Sequence, residues 1–186
     1  MTKRISILNV AAALNKFTRD RRGVSAVEFA MILPLMLTLY LGAVEVSQGI
    51  SIDRKVTLTT RTVADLASQV TNITNADMTN LLQASTTVMT PYPTATLRIT
   101  VSSVLIDAQG RATIAWSDTL NGTARTVGAA VTLPAVLNVA STSLIWSEVS
   151  YQYQPVIGYV VTGALNLSDQ IYMRPRLSDT VTRSAT

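Results

Sequence analysis

Gly23 and Glu28 are the residues whose type and spacing promise chemistry in this chain. They stand in the stretch Gly23-Val24-Ser25-Ala26-Val27-Glu28-Phe29: a glycine, four residues, an acid and an aromatic. The chemistry is peptide-bond cleavage done to the chain, not by it. A peptidase that cuts after glycine needs an extended, unobstructed backbone, and a residue without Cβ supplies one at low steric cost. Cleavage there would free the α-amine of Val24, with the Glu28 carboxylate one helical turn further on. A carboxylate inside a bilayer costs about 2.5–3.5 kcal/mol unless it is paired. The α-amine of an adjacent subunit in a helical assembly is a suitable partner. Taken alone, Glu28 would better fit an interfacial acid that reaches back to the headgroups. Its place between a basic segment and an apolar run favours the processing reading.

The elements that must position these residues are a basic leader and a membrane helix. Before Val24 the chain carries Lys3, Arg4, Lys16, Arg19, Arg21 and Arg22 against Asp20 alone. From Val24 to Val44 the only charge is Glu28, and at ~1.5 Å per residue that run spans roughly 30 Å, one hydrocarbon core. The cluster of arginines before it predicts a cytoplasmic N-terminus and an exported C-terminal part. A secretory signal peptide fits less well, because its apolar part would be about 7–15 residues and would end in a small-x-small cleavage site. An uncleaved single-pass anchor presenting a binding domain remains the plain alternative. Pro34 inside the run is read either as a tolerated kink or as a bend or local melt that lets subunits pack.

The stretch RRGVSAVEFAMILPLML resembles the N-terminus of the TadE-like family, the minor pseudopilins of tight adherence (Tad, type IVc) pilus systems. The matching residues are Gly23, Val27, Glu28, Phe29, Ala30, Leu33 and Pro34. The resemblance is strong over about residues 19–50 and is one of layout beyond. It implies cleavage after Gly23 by a prepilin peptidase. It also implies recruitment with other pilin or pseudopilin subunits and the inner-membrane assembly machinery, and a part in building thin adhesive pili. Gly23 and Val24 are then the processing site, and Glu28, Phe29 and Pro34 serve recognition and assembly.

Composition removes several other functions. The chain has no cysteine and no histidine. Disulfides, thiolate or imidazole metal sites, cysteine nucleophiles and Ser-His-Asp triads are therefore excluded. No cofactor is expected. The nine basic and ten acidic residues from Val24 onward nearly cancel, so the C-terminal part offers no clustered cations for nucleic acid. An exported hydrolase would need a Ser/Lys or paired-carboxylate site. Lys55 is the only lysine in that part and the acids are scattered, so the chain is read as a non-enzyme.

The expected fold class is α+β: a long transmembrane helix that continues into an amphipathic stalk and packs on a small, mainly antiparallel β-sheet domain. The divisions are a leader over 1–23, the membrane helix over 24–46, a helical stalk and short helix over 47–90, and a β-rich domain over 91–186. Ile52, Val56, Thr59, Val63, Leu66 and Val70 recur at helical steps and mark the buried stripe of the stalk, with Ala64 and Ala67 beside it. A second helix is expected from Ala76 to Val88 with Asn75 as N-cap. Leu97, Ile99 and Val101 alternate, and Val104 and Ile106 resume one step out of phase. That shift predicts a β-bulge near Ser102 and Ser103. Asp107 to Gly110 is a turn, and Ile114 and Trp116 share a face of the returning strand. A short helix is placed around Pro134 to Leu137. Strands are expected over Leu144 to Tyr153 and Ile171 to Leu177, and the tail from Ser178 is expected to fray. Tyr151, Tyr153 and Tyr159 near Trp146 are read as half-buried strand residues in preference to an aromatic binding platform.

Overall fold

The computed structural model describes residues 22–155, 158 and 163–185. The order of elements is α1 (Arg22–Ser68), β1 (Asn72–Ile73), α2 (Asn75–Thr87), β2 (Leu97–Ile106), β3 (Ala112–Leu120), β4 (Ala130–Val131), β5 (Thr142–Tyr153), β6 (Leu165–Met173) and β7 (Thr182–Arg183). The chain divides into two compact units, Met1–Val44 and Glu45–Thr186. A five-stranded antiparallel sheet runs β4-β3-β2-β5-β6, and β1 pairs with β7 in parallel. The architecture is the α+β class expected from the sequence. The leader lies outside the described residues apart from its last two.

From Glu45 onward α1 buries one stripe: Ile52, Val56, Thr59, Thr60, Val63, Ala64, Ala67 and Ser68. The two threonines are poor helix formers. Their hydroxyls donate to the carbonyls of Lys55 and Val56, each at 2.8 Å, so no donor is left bare in the dry interface. The expected stripe included Leu66, but Leu66 is exposed. It falls at the margin of the arc, and the helix presents Ala67 and Ser68 to the core instead.

The sheet carries a core on each face, and a bulge lets β3 contribute to both. β2 pairs with β5 without interruption, but its register with β3 slips between Ser103 and Val104. Ser103 opposes Trp116 and Val104 opposes Ile114, which leaves Ala115 as the extra residue. The bulge is thus at the expected place along β2, with the added residue on its partner. Ile99, Val101, Trp116, Ile145 and Val149 join the stripe of α1 in the main cluster. Val104, Ile106, Ile114, Leu144 and Trp146 form a second cluster with Leu133. Ile114 and Trp116 therefore do not share a core, contrary to the expectation from simple alternation, because the bulge turns one of them over.

The second cluster is covered by the 130–139 segment. No helix forms there. β4 and a turn closed by the Leu137 amide on the Pro134 carbonyl hold it, with Val131 and Leu137 packed on the cluster. β6 begins at Leu165, earlier than the expected Ile171, and ends before Pro175. Its sequence hides the strand, because an edge strand shows its Asn, Ser and Gln side chains to water.

α2 is capped by Thr74 and not by Asn75. The Thr74 hydroxyl accepts from the Asp77 amide at 3.2 Å and the Asp77 carboxylate accepts from the Thr74 amide at 3.0 Å, a reciprocal capping box. The Thr74 hydroxyl, which also donates to the Asp77 carboxylate at 2.7 Å, and then the Thr74 amide hold that carboxyl below its usual 3.8. Lys55 Nζ donates to the carbonyl of Val88 at 2.9 Å and ties α1 to the far end of α2.

The tail is ordered, contrary to the expectation of fraying. Val181 is 2% exposed within the main cluster, and the Trp116 indole donates to its carbonyl at 2.7 Å. Arg183 bonds Asp118 at 2.9 Å and the side chain of Asn75 at 2.7 Å. Polar composition concealed one buried valine and the pairing of Thr182 and Arg183 with Asn72 and Ile73. Val181→Ala is accordingly expected to destabilise the C-terminal unit by about 2 kcal/mol, read by denaturant unfolding. A frayed tail would leave the midpoint unchanged.

Candidate processing site and membrane helix

Gly23 lies in the first turn of α1. A Cβ added there would meet nothing within 4 Å, so packing among the described residues does not ask for glycine. A helix interior disfavours glycine by roughly 0.5–1 kcal/mol relative to alanine. What glycine offers at this position is easy unwinding. The first four amides of a helix have no intrahelical partner, and an extended conformation at Gly23 disturbs only that turn.

The residues that follow all face outward. Val24, Phe29, Met31, Leu35, Leu39 and Tyr40 are each more than half exposed, and Glu28 is exposed among them. A helix apolar all round and uncovered by its own protein is a membrane segment or a packing surface. Among the described residues one helix is long and apolar enough to cross a membrane, and it is this one. Val24 and Glu28 stand four residues apart in continuous helix, about 6 Å along the axis and on one face.

Pro34 sits inside α1 without ending it. It has no amide hydrogen to return to the carbonyl of Ala30. The Thr38 hydroxyl donates to the carbonyl of Pro34 at 2.9 Å, one turn beyond that gap. α1 continues through the proline without a break in the helix.

A buried polar group after the apolar run escaped the sequence reading. Glu45 is 2% exposed. Burial, and then the charge of Glu45, pushes the Tyr153 phenol above its usual 10.0. The Tyr153 hydroxyl donates to Gln48 Oε1 at 3.2 Å. The signal was present: Glu45 precedes Ile52 by seven residues and so belongs to the buried stripe. Tyr151 and Tyr153 are buried in the main cluster, Trp146 lies in the other cluster, and Tyr159 is outside the described residues. The aromatic platform is thus not assembled from Trp146 and these tyrosines. Among the described residues no group of three potential metal ligands occurs, and Lys55 is engaged with the Val88 carbonyl.

Residues 23–65 match the model of the family described as TadE-like protein. This is the family that the residues from Gly23 to Pro34 resemble. No curated protein and no solved structure matches the chain. The match lies wholly within α1, so the likeness rests on the helix and not on the sheet. If Gly23 is present for cleavage, Gly23→Leu should leave the full-length chain in the membrane fraction, seen by mass on intact protein. A variant of the same mature mass as the unaltered protein would remove Gly23 from that role.

Proposed function

We propose that the chain is a minor pilin-like subunit of a Tad (type IVc) pilus, cut by a prepilin peptidase between Gly23 and Val24. The observation that carries the proposal is the coincidence of three features in one matched stretch. A glycine without a packing role precedes the cut, a lone carboxylate follows one turn later, and the helix that bears them is apolar all round. The basic leader keeps the N-terminus in the cytoplasm and sends the C-terminal unit to the periplasm. The chain's work is then to be cut, held in the inner membrane and recruited by helix packing with other pilin-like subunits and the assembly machinery.

Within a bilayer no water drives helices together, so packing and polar pairing decide association. Glu28 supplies the polar term. Its carboxylate offsets the new Val24 amine of a neighbouring subunit, and both charges leave the hydrocarbon as a pair. Phe29 marks the position for the peptidase. The interruption at Pro34 gives the helix a place to bend against its neighbours.

Glu28→Gln separates this role from an interfacial one. The amide keeps the size and loses the charge, and it makes the isolated helix cheaper to insert. The variant should be cleaved and stable in the membrane, yet fail to enter the pilus assembly when co-purified with its partner subunits. Normal incorporation and piliation would leave Glu28 as an interfacial residue or a feature read by the peptidase.

A further inference from the structure

Three neighbouring strands line up polar side chains on one face of the sheet. Thr100, Glu148 and Gln170 form a row across β2, β5 and β6, Arg98, Ser150 and Ser168 form the next, and Gln152 and Asn166 a third. Period-two alternation turns them all away from α1, because Ile99, Val149 and Tyr151 between them belong to the main cluster. Two serines floor the middle row and longer side chains flank it, so the surface dips there. The flanking rows stand four residues apart along β5, roughly 13 Å. The dip opens into recesses of about 650 Å³ on the Glu148 side and about 350 Å³ on the Gln152 side, and Arg98 and Ser150 border both.

One wall of this trough is braced. Arg125 donates to the two Glu148 carboxylate oxygens at 2.7, 2.8 and 3.1 Å, and the Trp146 indole donates to Gln170 Oε1 at 3.2 Å. The Arg125 and Glu148 charges therefore cancel. Asp169 borders the larger recess from the row that alternates toward α1, with Oδ1 on the Gln170 amide at 2.9 Å. Arg98 is exposed at the junction of the two recesses, and among the described residues no acid pairs with it. Its guanidinium suits a carboxylate, which it can grip with two parallel bonds. The serine hydroxyls and the Gln152 and Asn166 amides around it each donate and accept. A ligand that only accepts, such as a phosphate or a plain carboxylic acid, leaves half of that capacity unmatched. Sugar hydroxyls match both halves.

We propose that this trough binds an acidic saccharide, its carboxylate on Arg98 and its ring hydroxyls on the serines and amides of the flanking rows. The site lies wholly within the C-terminal unit and is independent of cleavage after Gly23.

The test is equilibrium dialysis of the full chain, in a zwitterionic detergent, against labelled trigalacturonate, neutral galactotriose and tricarballylate, a sugar-free acid of the same charge as the first. Trigalacturonate should bind saturably and more tightly than either comparison. Arg98→Gln should weaken it about tenfold or more and leave galactotriose unchanged. Asn166→Leu should weaken both saccharides. Both positions are exposed, and an unaltered thermal midpoint checks that the fold is kept. Arg174→Gln, at an exposed arginine beyond the end of β6, should change nothing. Equal weakening by Arg98→Gln and Arg174→Gln assigns the binding to general charge attraction and overturns the site. Tricarballylate bound as tightly as trigalacturonate, or no saturable binding of trigalacturonate, overturns it as well.

Discussion

One helix passing between two solvents is the constraint on which this protein depends. Within α1 the residues from Val24 to Tyr40 present apolar side chains in every direction, whereas those from Ile52 to Ser68 present a single apolar stripe. The first pattern is stable only in lipid or against other apolar helices, and the second only against a core of its own. Apart from the Ala30 carbonyl opposite Pro34, the helix satisfies its own backbone hydrogen bonds across this run, which is what a membrane crossing requires.

The C-terminal unit must hold together without disulfides, and it does so by burial on both faces of one sheet. The extra residue at Ala115 lets Trp116 join the α1 side while Ile114 turns to the other. Long-range polar contacts then fasten the parts that burial leaves loose. Lys55 holds the end of α2, and Arg183 joins the tail to Asp118 and Asn75. Arg125 meets Glu148 at 2.7 Å and lies 3.8 Å from the ring centre of Trp146, screening the second cluster. Such partly exposed ion pairs contribute little singly. Their value here is in fixing register between elements distant in sequence.

What could be read from sequence was what depends on local pattern. The stalk helix, the β2–β3 hairpin, the bulge and the long β5 strand all announce themselves through periodicity and turn residues. What could not be read depends on pairing across the chain. The tail looked frayed because one buried valine, Val181, is a weak signal among threonines and serines. Of β6 only the end from Ile171 was legible, because only one side of an edge strand is apolar. Thr74 and Asn75 are both good caps, and the position of Asp77 relative to Thr74 decides between them. Glu45 carries no apolar signal of its own, although its spacing from Ile52 already placed it on the buried stripe. The processing residues are a different case. Gly23, Val24, Glu28, Phe29 and Pro34 were legible as a motif, and the structure adds that none of them is buried in the protein's own core.

That exposure unites the account. Residues that a fold does not use, held on a helix that water does not tolerate, are available to a peptidase and to neighbouring subunits. In the proposed function cleavage is the first event, and it would alter both the charge and the length of the chain before any packing occurs. The most direct measurement is the N-terminal residue of the protein extracted from the membranes of its own host. The account predicts a chain beginning at Val24. A membrane-embedded chain that still begins at Met1 would contradict it.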